Sequence, residues 1–177
     1  MPKPTDIRIV EASLKIEPVP YRVPLKFGGR VVDKSELISV EVVVESRGGR
    51  EATGLVSMPV GNVWAWPSDK LSPDQTADVI KKYADEVIEL ANGYPDYGHP
   101  LEISYQLSGE YFHLGKTFSQ RLKLPEGIPM LAQLLAASPF DAALHDGFGR
   151  ALEINSYDGL SSKYMNDDLS KYLDASF

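Results

Sequence analysis

Alternating apolar and polar residues dominate the first third of the chain and predict β-strands. Apolar side chains occupy every second position in residues 10–16 and in residues 38–44, and a similar segment covers about residues 51–56. This period of two is typical of strands that have one face in water. Two adjacent glycines, Gly48 and Gly49, supply the positive φ that a tight hairpin between the last two segments needs. The pattern predicts a three-stranded antiparallel meander.

Two segments interrupt the strand pattern and predict loops. Prolines at positions 18, 20 and 24 block regular strand pairing. The glycine pair that follows, Gly28 and Gly29, indicates an exposed loop with a mobile tip. Residues 57–67 contain two Trp, two Pro and one Gly without a clear period. Because loops normally face water, the aromatic side chains of this second loop must pack on something.

Apolar spacings of three and four residues predict helices in the rest of the chain. Residues 72–75 have the composition of a capping box, with Ser, Pro and Gln at the right positions, and Gly93 is a plausible end of that helix. Residues 101–122 predict one or two short helices, interrupted at one of two glycines. A long helix over residues 128–152 is rich in Ala and Gly, which implies close packing against a neighbour. A short helix is expected around residues 167–173.

Composition and charge exclude several classes of function. The 177 residues suffice for one ordinary domain but not for a (β/α)₈ barrel of about 250 residues. The absence of Cys excludes disulfides, thiolate metal sites and a Cys nucleophile. The net charge of −7 argues against a nucleic-acid binder with a broad basic face. No apolar run long enough to span a membrane and no secretory signal occur, so we expect a cytoplasmic protein that binds neither nucleic acid nor membrane.

Residue types that carry common catalytic chemistry are present, but their spacing is unfavourable. The three histidines lack a zinc-ligand spacing such as H-E-x-x-H, and no glycine-rich phosphate motif or G-x-S-x-G motif occurs. His145 and Asp146 do not face each other on a helix. Asp167 and Asp168 would point apart on a helix, which favours capping and surface roles over cation binding. The residues alone indicate an α+β domain without a functional motif.

The order of these elements, together with one helix motif, resembles the N-terminal capping domain of the enolase superfamily. Residues 141–150 read Asp-Ala-Ala-Leu-His-Asp-Gly-Phe-Gly-Arg, which resembles the motif Asp-x-Ala-Leu-Trp-Asp-x-x-Gly-Lys of mandelate racemase and muconate-lactonizing enzymes. His145 stands in place of the motif's Trp, and Arg150 in place of its Lys. Residues 7–27 and 40–54 are similar to the family's strands and first loop.

The resemblance, which covers about residues 7–155, implies a fold and a division of the chain. The implied fold is α+β: a three-stranded antiparallel meander, with strands in about residues 7–57, precedes a subdomain of three to four helices in about residues 72–153. Residues 1–155 would form the capping domain. Residues 156–177 would be a linker or the start of a barrel domain, which this chain lacks.

The chemistry implied by the resemblance depends on that barrel. In such enzymes a barrel Lys or His removes the proton α to a carboxylate, and three barrel carboxylates hold a Mg²⁺ that stabilises the enediolate. We therefore expect Mg only in a full-length enzyme, with no catalytic residue and no metal ligand in this chain. The implied substrate is a small carboxylate, either an acid sugar or a hydroxy or amino acid. Dehydration, racemisation and cycloisomerisation are all open, and a homo-oligomer is implied.

The capping domain of such enzymes supplies two loops that close over the barrel mouth and contact the distal end of the substrate. Here these loops are about residues 23–34 and 57–66. The candidate substrate-binding residues carried over to this sequence are Tyr21, Phe27, Arg30, Met58, Trp64 and Trp66. The alternative for the aromatic residues is ordinary packing on the domain or on the barrel. Arg30 would suit a second carboxylate or a sugar hydroxyl, and a solvated loop Arg is the alternative.

A second class of function is compatible with the same fold. From Asn155 onward the sequence departs from the family pattern, which is the feature expected of a barrel-free ligand-binding or protein-interaction module. On the enzyme hypothesis the chain alone is inactive. The small side chains within residues 131–152 would then line an apolar face that packs on a barrel.

Overall fold

One antiparallel sheet of three strands forms the first part of the protein. The computed structural model describes residues 2–27, 30–174 and 176, and of Phe27 and Arg30 the backbone only. The strands β1 (Ile7–Phe27), β2 (Arg30–Ser46) and β3 (Glu51–Pro59) lie in the order β1-β2-β3. The predicted meander is confirmed, and β1 and β3 are its edges.

The first predicted loop is instead a paired extension of the β1–β2 hairpin. Leu25 lies opposite Val32 and Phe27 opposite Arg30, after an irregularity in the pairing that begins at Pro20. The prediction that prolines block regular pairing is wrong at Pro18 and Pro20, which lie opposite Glu36 and Lys34, because β1 is an edge strand, where proline is tolerated. It holds only around Pro24, where the pairing is irregular. The predicted mobile tip falls on Gly28 and Gly29, which lie outside the described residues.

Four helices follow the sheet. They are α1 (Asn62–Ala65), α2 (Pro73–Asn92), α3 (Pro100–Arg121) and α4 (Met130–Leu152). The predicted capping box of α2 is confirmed: Ser72 Oγ accepts a hydrogen bond from Gln75 N, and Ser72 N donates to Gln75 Oε1. The predicted interruption of residues 101–122 is wrong, since α3 is continuous through both of its glycines. No helix in the described part of the chain is long and apolar enough to cross a membrane.

The long helix α4 packs on the inner face of the sheet and forms the centre of the core. Its small residues Ala143 and Gly147 lie against β3 at Gly54, and Gly147 also lies against Val44 of β2. The expected close packing is therefore confirmed. The neighbour is the domain's own sheet, so the prediction that these small residues form an apolar face for a barrel is wrong.

The C-terminal segment packs back on the domain. A 3₁₀ turn at Ser156–Gly159 lies against α4, and Tyr164 is buried. The side chain of Lys3 donates to the carbonyl oxygens of Ser162 and Met165. The short helix expected around residues 167–173 is a 3₁₀ turn at Leu169–Lys171. The assignment of residues 156–177 to a linker stays a prediction.

Candidate functional site

The hairpin extension and the segment after β3 border an open-sided cavity of about 470 Å³. Tyr21, Leu25 and Val31 form the wall on the hairpin side, and Val63 and Trp64 of α1 form the opposite wall. The first turn of α2 completes the lining. A volume of this size is within the range of small-molecule sites. The two segments predicted as lid loops therefore meet around one cavity.

The predicted contact residues have different positions relative to this cavity. Tyr21 and Trp64 line it and are 38% and 50% exposed. Met58 is half-buried and packs on the core. Trp66 is only 3% exposed, so the structure places it in the core rather than at the cavity. The side chains of the remaining candidates, Phe27 and Arg30, lie outside the described part of the chain.

Hydrogen bonds on both sides of α1 hold the Trp64 wall in place. Before the helix, Gly61 adopts a left-handed backbone with φ of 60°. At the first residue of the helix, Asn62 Nδ2 donates to Pro73 O at 2.8 Å. After the helix, the indole Nε1 of Trp66 donates to Glu126 Oε1 at 2.7 Å. A four-residue helix has little stability of its own. These contacts therefore fix the position of Trp64.

Glu126, in the loop between α3 and α4, is the acceptor that anchors this segment. Hydrogen bonds from Ser68 and Trp66, together with the nearby positive charge of Lys70, lower the pKa of the Glu126 carboxyl. The carboxylate is therefore favoured as the charged acceptor, which strengthens the hydrogen bond to the indole.

The base of the hairpin is held on α2 through Glu36. Its backbone carbonyl accepts a hydrogen bond from Val60 N at 2.9 Å. Both carboxylate oxygens of Glu36 lie 3.1 Å from Lys81 Nζ, with the two side chains mostly buried. The charge of Glu36 is thus paired at the edge of the cavity, and the hairpin is attached to the helices at its base.

Sequence reasoning missed part of the cavity lining. Leu25 and Val31 were within the first predicted loop but were not singled out, and Asn62, Pro73 and Asp74 lie at the ends of helices. The capping signature of residues 72–75 fixed where α2 begins. It carries no information on which loop that helix end faces.

The histidines outside the cavity have structural positions. His99 is 2% exposed, and it joins α3 to the C-terminal segment through both ring nitrogens. His145 Nε2 lies 3.9 Å from Asp141 Oδ1 and does not pair with Asp146. Burial lowers the pKa of His99 to about 4 and also lowers the pKa of His145. Among the described residues, no group of three or more His, Asp and Glu is placed to hold a metal ion.

Asp146 and Arg150, two positions of the helix motif, also have structural roles. Asp146 Oδ2 accepts hydrogen bonds from Leu55 N of β3 at 3.0 Å and from Arg150 Nε at 2.8 Å. One carboxylate thereby ties α4 to the outer edge of the sheet. Arg150, which stands in place of the motif's Lys, donates one of these two hydrogen bonds.

No family model and no curated protein matches the chain, but solved structures of similar fold exist. L-talarate/galactarate dehydratase from Salmonella typhimurium LT2, liganded with Mg and L-lyxarohydroxamate, is similar over 89% of this chain and 34% of its own, with 18% identity and a TM-score of 0.54. An enolase from alpha pretobacterium bal199 with bound Mg is similar over 82% of this chain and 32% of its own, with 16% identity and a TM-score of 0.51. A mandelate racemase/muconate lactonizing enzyme-like protein from Rubrobacter xylanophilus is similar over 86% of this chain and 33% of its own, with 18% identity and a TM-score of 0.48.

The two similarities with TM-scores above 0.5 show the class of fold. The chain has the fold of one domain of enolase-superfamily proteins, and the predicted resemblance is confirmed at this level. The α+β order of meander and helices is confirmed with it. The chain spans about one third of the length of the solved structures that it matches.

Proposed function

We propose that this chain is the substrate-capping domain of a Mg-dependent enzyme of the enolase superfamily, which removes the proton α to a carboxylate. The observation that carries the proposal is the cavity between the hairpin and α1. In the superfamily these two segments are the ones expected to cover the substrate, and here they form the two walls of one cavity. The fold similarity supports the same assignment.

The proposal places the chemistry outside this chain. The described residues offer no ligand set for Mg²⁺, and the cavity is lined by no histidine. The catalytic base and the metal ligands would belong to a barrel in a longer protein. This chain's residues would exclude water and orient the distal end of the substrate, which increases the rate by positioning. Tyr21 and Trp64 are the assigned contacts, and the cytoplasmic location and the homo-oligomer stay predictions.

The alternative, a barrel-free module, draws support from the C-terminal segment. The segment is attached to the domain through Lys3 and through Asn166, whose Nδ2 donates to Asp6 Oδ1 and Glu102 Oε2. A module of this kind would bind its ligand in the same cavity without catalysis. The two functions therefore differ in whether Mg-dependent chemistry accompanies binding.

The test uses the protein that the complete reading frame encodes, with Mg²⁺ and a panel of acid sugars, hydroxy acids and amino acids in D₂O. Exchange of the α-proton, followed by NMR, reports the step that is common to all the candidate reactions. We expect Mg-dependent exchange with at least one substrate. Absence of exchange with the whole panel, or exchange that is independent of Mg²⁺, would contradict the enzyme assignment.

Variants then test the capping role. Tyr21→Ala and Trp64→Ala should each lower kcat/KM by about tenfold or more, to an extent that depends on the substrate. Leu131→Ala is the matched control, because Leu131 is 51% exposed on α4 and does not line the cavity. If the cavity variants behave like the control with every substrate, the cavity is not the capping site.

A further inference from the structure

We infer that the cavity accepts an aromatic or branched aliphatic side group and discriminates against the distal end of an acid sugar. This inference rests on the proposed function and specifies its substrate class as a hydroxy or amino acid with an apolar side chain. The cavity is lined mainly by apolar side chains from three elements. They include Leu25 and Val31 of the hairpin, Val63 and Trp64 of α1, and Pro73 and Ala77 of α2.

Two polar side chains of the cavity lining are already engaged in the protein's own contacts. Asn62 donates its amide hydrogens to Pro73 O and Thr76 Oγ1. Both carboxylate oxygens of Glu36 contact Lys81 Nζ. A polyhydroxylated ligand must exchange each of its hydrogen bonds with water for one with the protein, and an unpaired buried hydroxyl is costly. The apolar side chains that make up most of the lining cannot provide these partners.

The charges of the lining disfavour a second carboxylate. Among the lining residues whose side chains the structure describes, Lys34 is the one cation, whereas Asp33, Glu36 and Asp74 contribute three carboxylates. With Glu36 paired to Lys81, two carboxylates remain against one ammonium group. A dicarboxylate would bring its distal negative charge toward this excess of negative charge. Like charges placed together reduce affinity and so provide discrimination.

Two exposed aromatic side chains of the cavity lining can bind an apolar group. Tyr21 and Trp64 keep 38% and 50% of their surface accessible while they line the cavity. Aromatic rings gain from offset or edge contacts with another ring in addition to the area they bury. A phenyl or branched side chain would cover both rings, whereas a polyol would leave them in contact with polar groups.

The first experiment measures binding to the 177-residue chain directly, without Mg²⁺ and without catalysis. Trp64 is the exposed tryptophan and Trp66 the buried one, so a change in exposed-tryptophan fluorescence reports occupancy of the cavity. Mandelate should change this signal at concentrations where galactarate does not, and Trp64→Phe should abolish the change. Equal responses to the two probes, or a stronger response to galactarate, would overturn the inference.

The second experiment compares kcat/KM for α-proton exchange in mandelate and galactarate, using the protein encoded by the complete reading frame. We expect a preference for mandelate of at least about tenfold. Val31→Lys adds a cation to the lining and should shift the ratio toward galactarate by about tenfold or more. Leu131→Lys, on the exposed face of α4, is the control and should leave the ratio unchanged.

The outcomes separate this inference from the proposed function. Mg-dependent exchange that favours galactarate retains the capping function and overturns the inferred substrate class. Mandelate-selective binding to the chain, without exchange of any substrate by the full-length protein, retains the apolar specificity of the cavity and contradicts the enzyme. A ratio that Val31→Lys and Leu131→Lys change equally would show that the cavity does not determine specificity.

Discussion

The backbone of Gly54 in β3 lies in direct contact with the carbonyl group of Ala143 in α4. A Cβ atom built on Gly54 would stand 1.9 Å from the Ala143 oxygen and 2.4 Å from the nitrogen of Gly147. Real Cβ atoms do not approach backbone atoms so closely, so strand and helix can meet here only through glycine. This contact sets the distance between the sheet and the helix on which the core is built.

We expect Gly54→Ala to destabilise the protein by about 3 kcal/mol or more, because the helix or strand must shift to admit the methyl group. Gly109→Ala is the matched control. A Cβ at Gly109 meets nothing within 4 Å, and this helical position should gain about 0.5–1 kcal/mol from the exchange. Urea unfolding of both variants measures the two effects. Similar free energies of unfolding for both variants would contradict the proposed contact.

The sequence predicted the elements whose signals are local. The strand periods and the capping box at Ser72 depend only on near neighbours, and the structure confirms both. The continuity of α3 was missed because it depends on distant surroundings: Gly109 faces open space, and Gly115 lies against Gln133 of α4. The hairpin was missed because the three prolines were interpreted as a block to pairing, although an edge strand, which the first strand of a three-stranded meander must be, tolerates proline.

The two tryptophans of the second predicted loop show why site residues were harder to predict. Trp64 and Trp66 are two positions apart in a segment without a clear period, so the sequence does not distinguish the core residue from the cavity residue. The distinction is made by Glu126, which lies 60 positions after Trp66 in the chain and accepts its indole hydrogen bond. The same pattern gave both residues equal weight as substrate contacts.

Replacing these tryptophans should affect stability very differently. Trp66→Ala should lower the free energy of unfolding by about 3–5 kcal/mol, because it empties a buried site. Trp64→Ala should lower it by about 1 kcal/mol or less, since half of that side chain is already exposed. Thermal and urea unfolding of the two variants measure the difference. Equal losses would show that Trp64 belongs to the core.

The role of Glu126 can be tested through its acceptor oxygen. Glu126→Leu leaves the indole N–H of Trp66 without this acceptor and should lower the free energy of unfolding. Glu126→Gln keeps an acceptor at the same place and should cost less. If the two variants unfold at the same urea concentration, the hydrogen bond is not what anchors the segment after α1.

The link between Asp146 and the edge of the sheet predicts a local effect at β3. Asp146→Ala removes the acceptor of the Leu55 N–H and of Arg150, and we expect a loss of about 1 kcal/mol. Amide hydrogen exchange at Leu55 should become faster in this variant. Asp146→Asn keeps an acceptor oxygen and is the control. Unchanged protection of Leu55 in Asp146→Ala would contradict the link.

His99 joins two parts of the protein through a neutral imidazole. Leu101 N donates to Nδ1, which therefore carries no proton, and Nε2 donates to the carbonyl of Gly159 at 3.2 Å. Protonation of Nδ1 would remove the acceptor at the start of α3. Burial is the main cause that lowers the pKa of His99 from its ordinary value of 6.5 to about 4. The neighbouring His145 lowers this pKa further, whereas the hydrogen bond to the Gly159 carbonyl and the charges of Asp6 and Glu102 partly oppose the shift.

This lowered pKa predicts a loss of stability in mild acid. The unfolded chain takes up the proton near pH 6.5 and the folded chain only near pH 4. Between these values the unfolded state binds more protons. The free energy of unfolding therefore decreases as the pH falls. The full loss from His99 is about 3 kcal/mol.

Urea unfolding at pH 7 and pH 4.5 measures this loss as a difference in the free energy of unfolding. The difference should be much smaller in His99→Asn, which retains a helix-capping acceptor, than in the unmodified chain. His113→Asn, at an exposed position of α3, is the control variant and should keep the original pH dependence. The slope that remains in His99→Asn arises in part from the partly buried His145. Equal slopes in the unmodified chain and in His99→Asn would show that the acid sensitivity arises elsewhere.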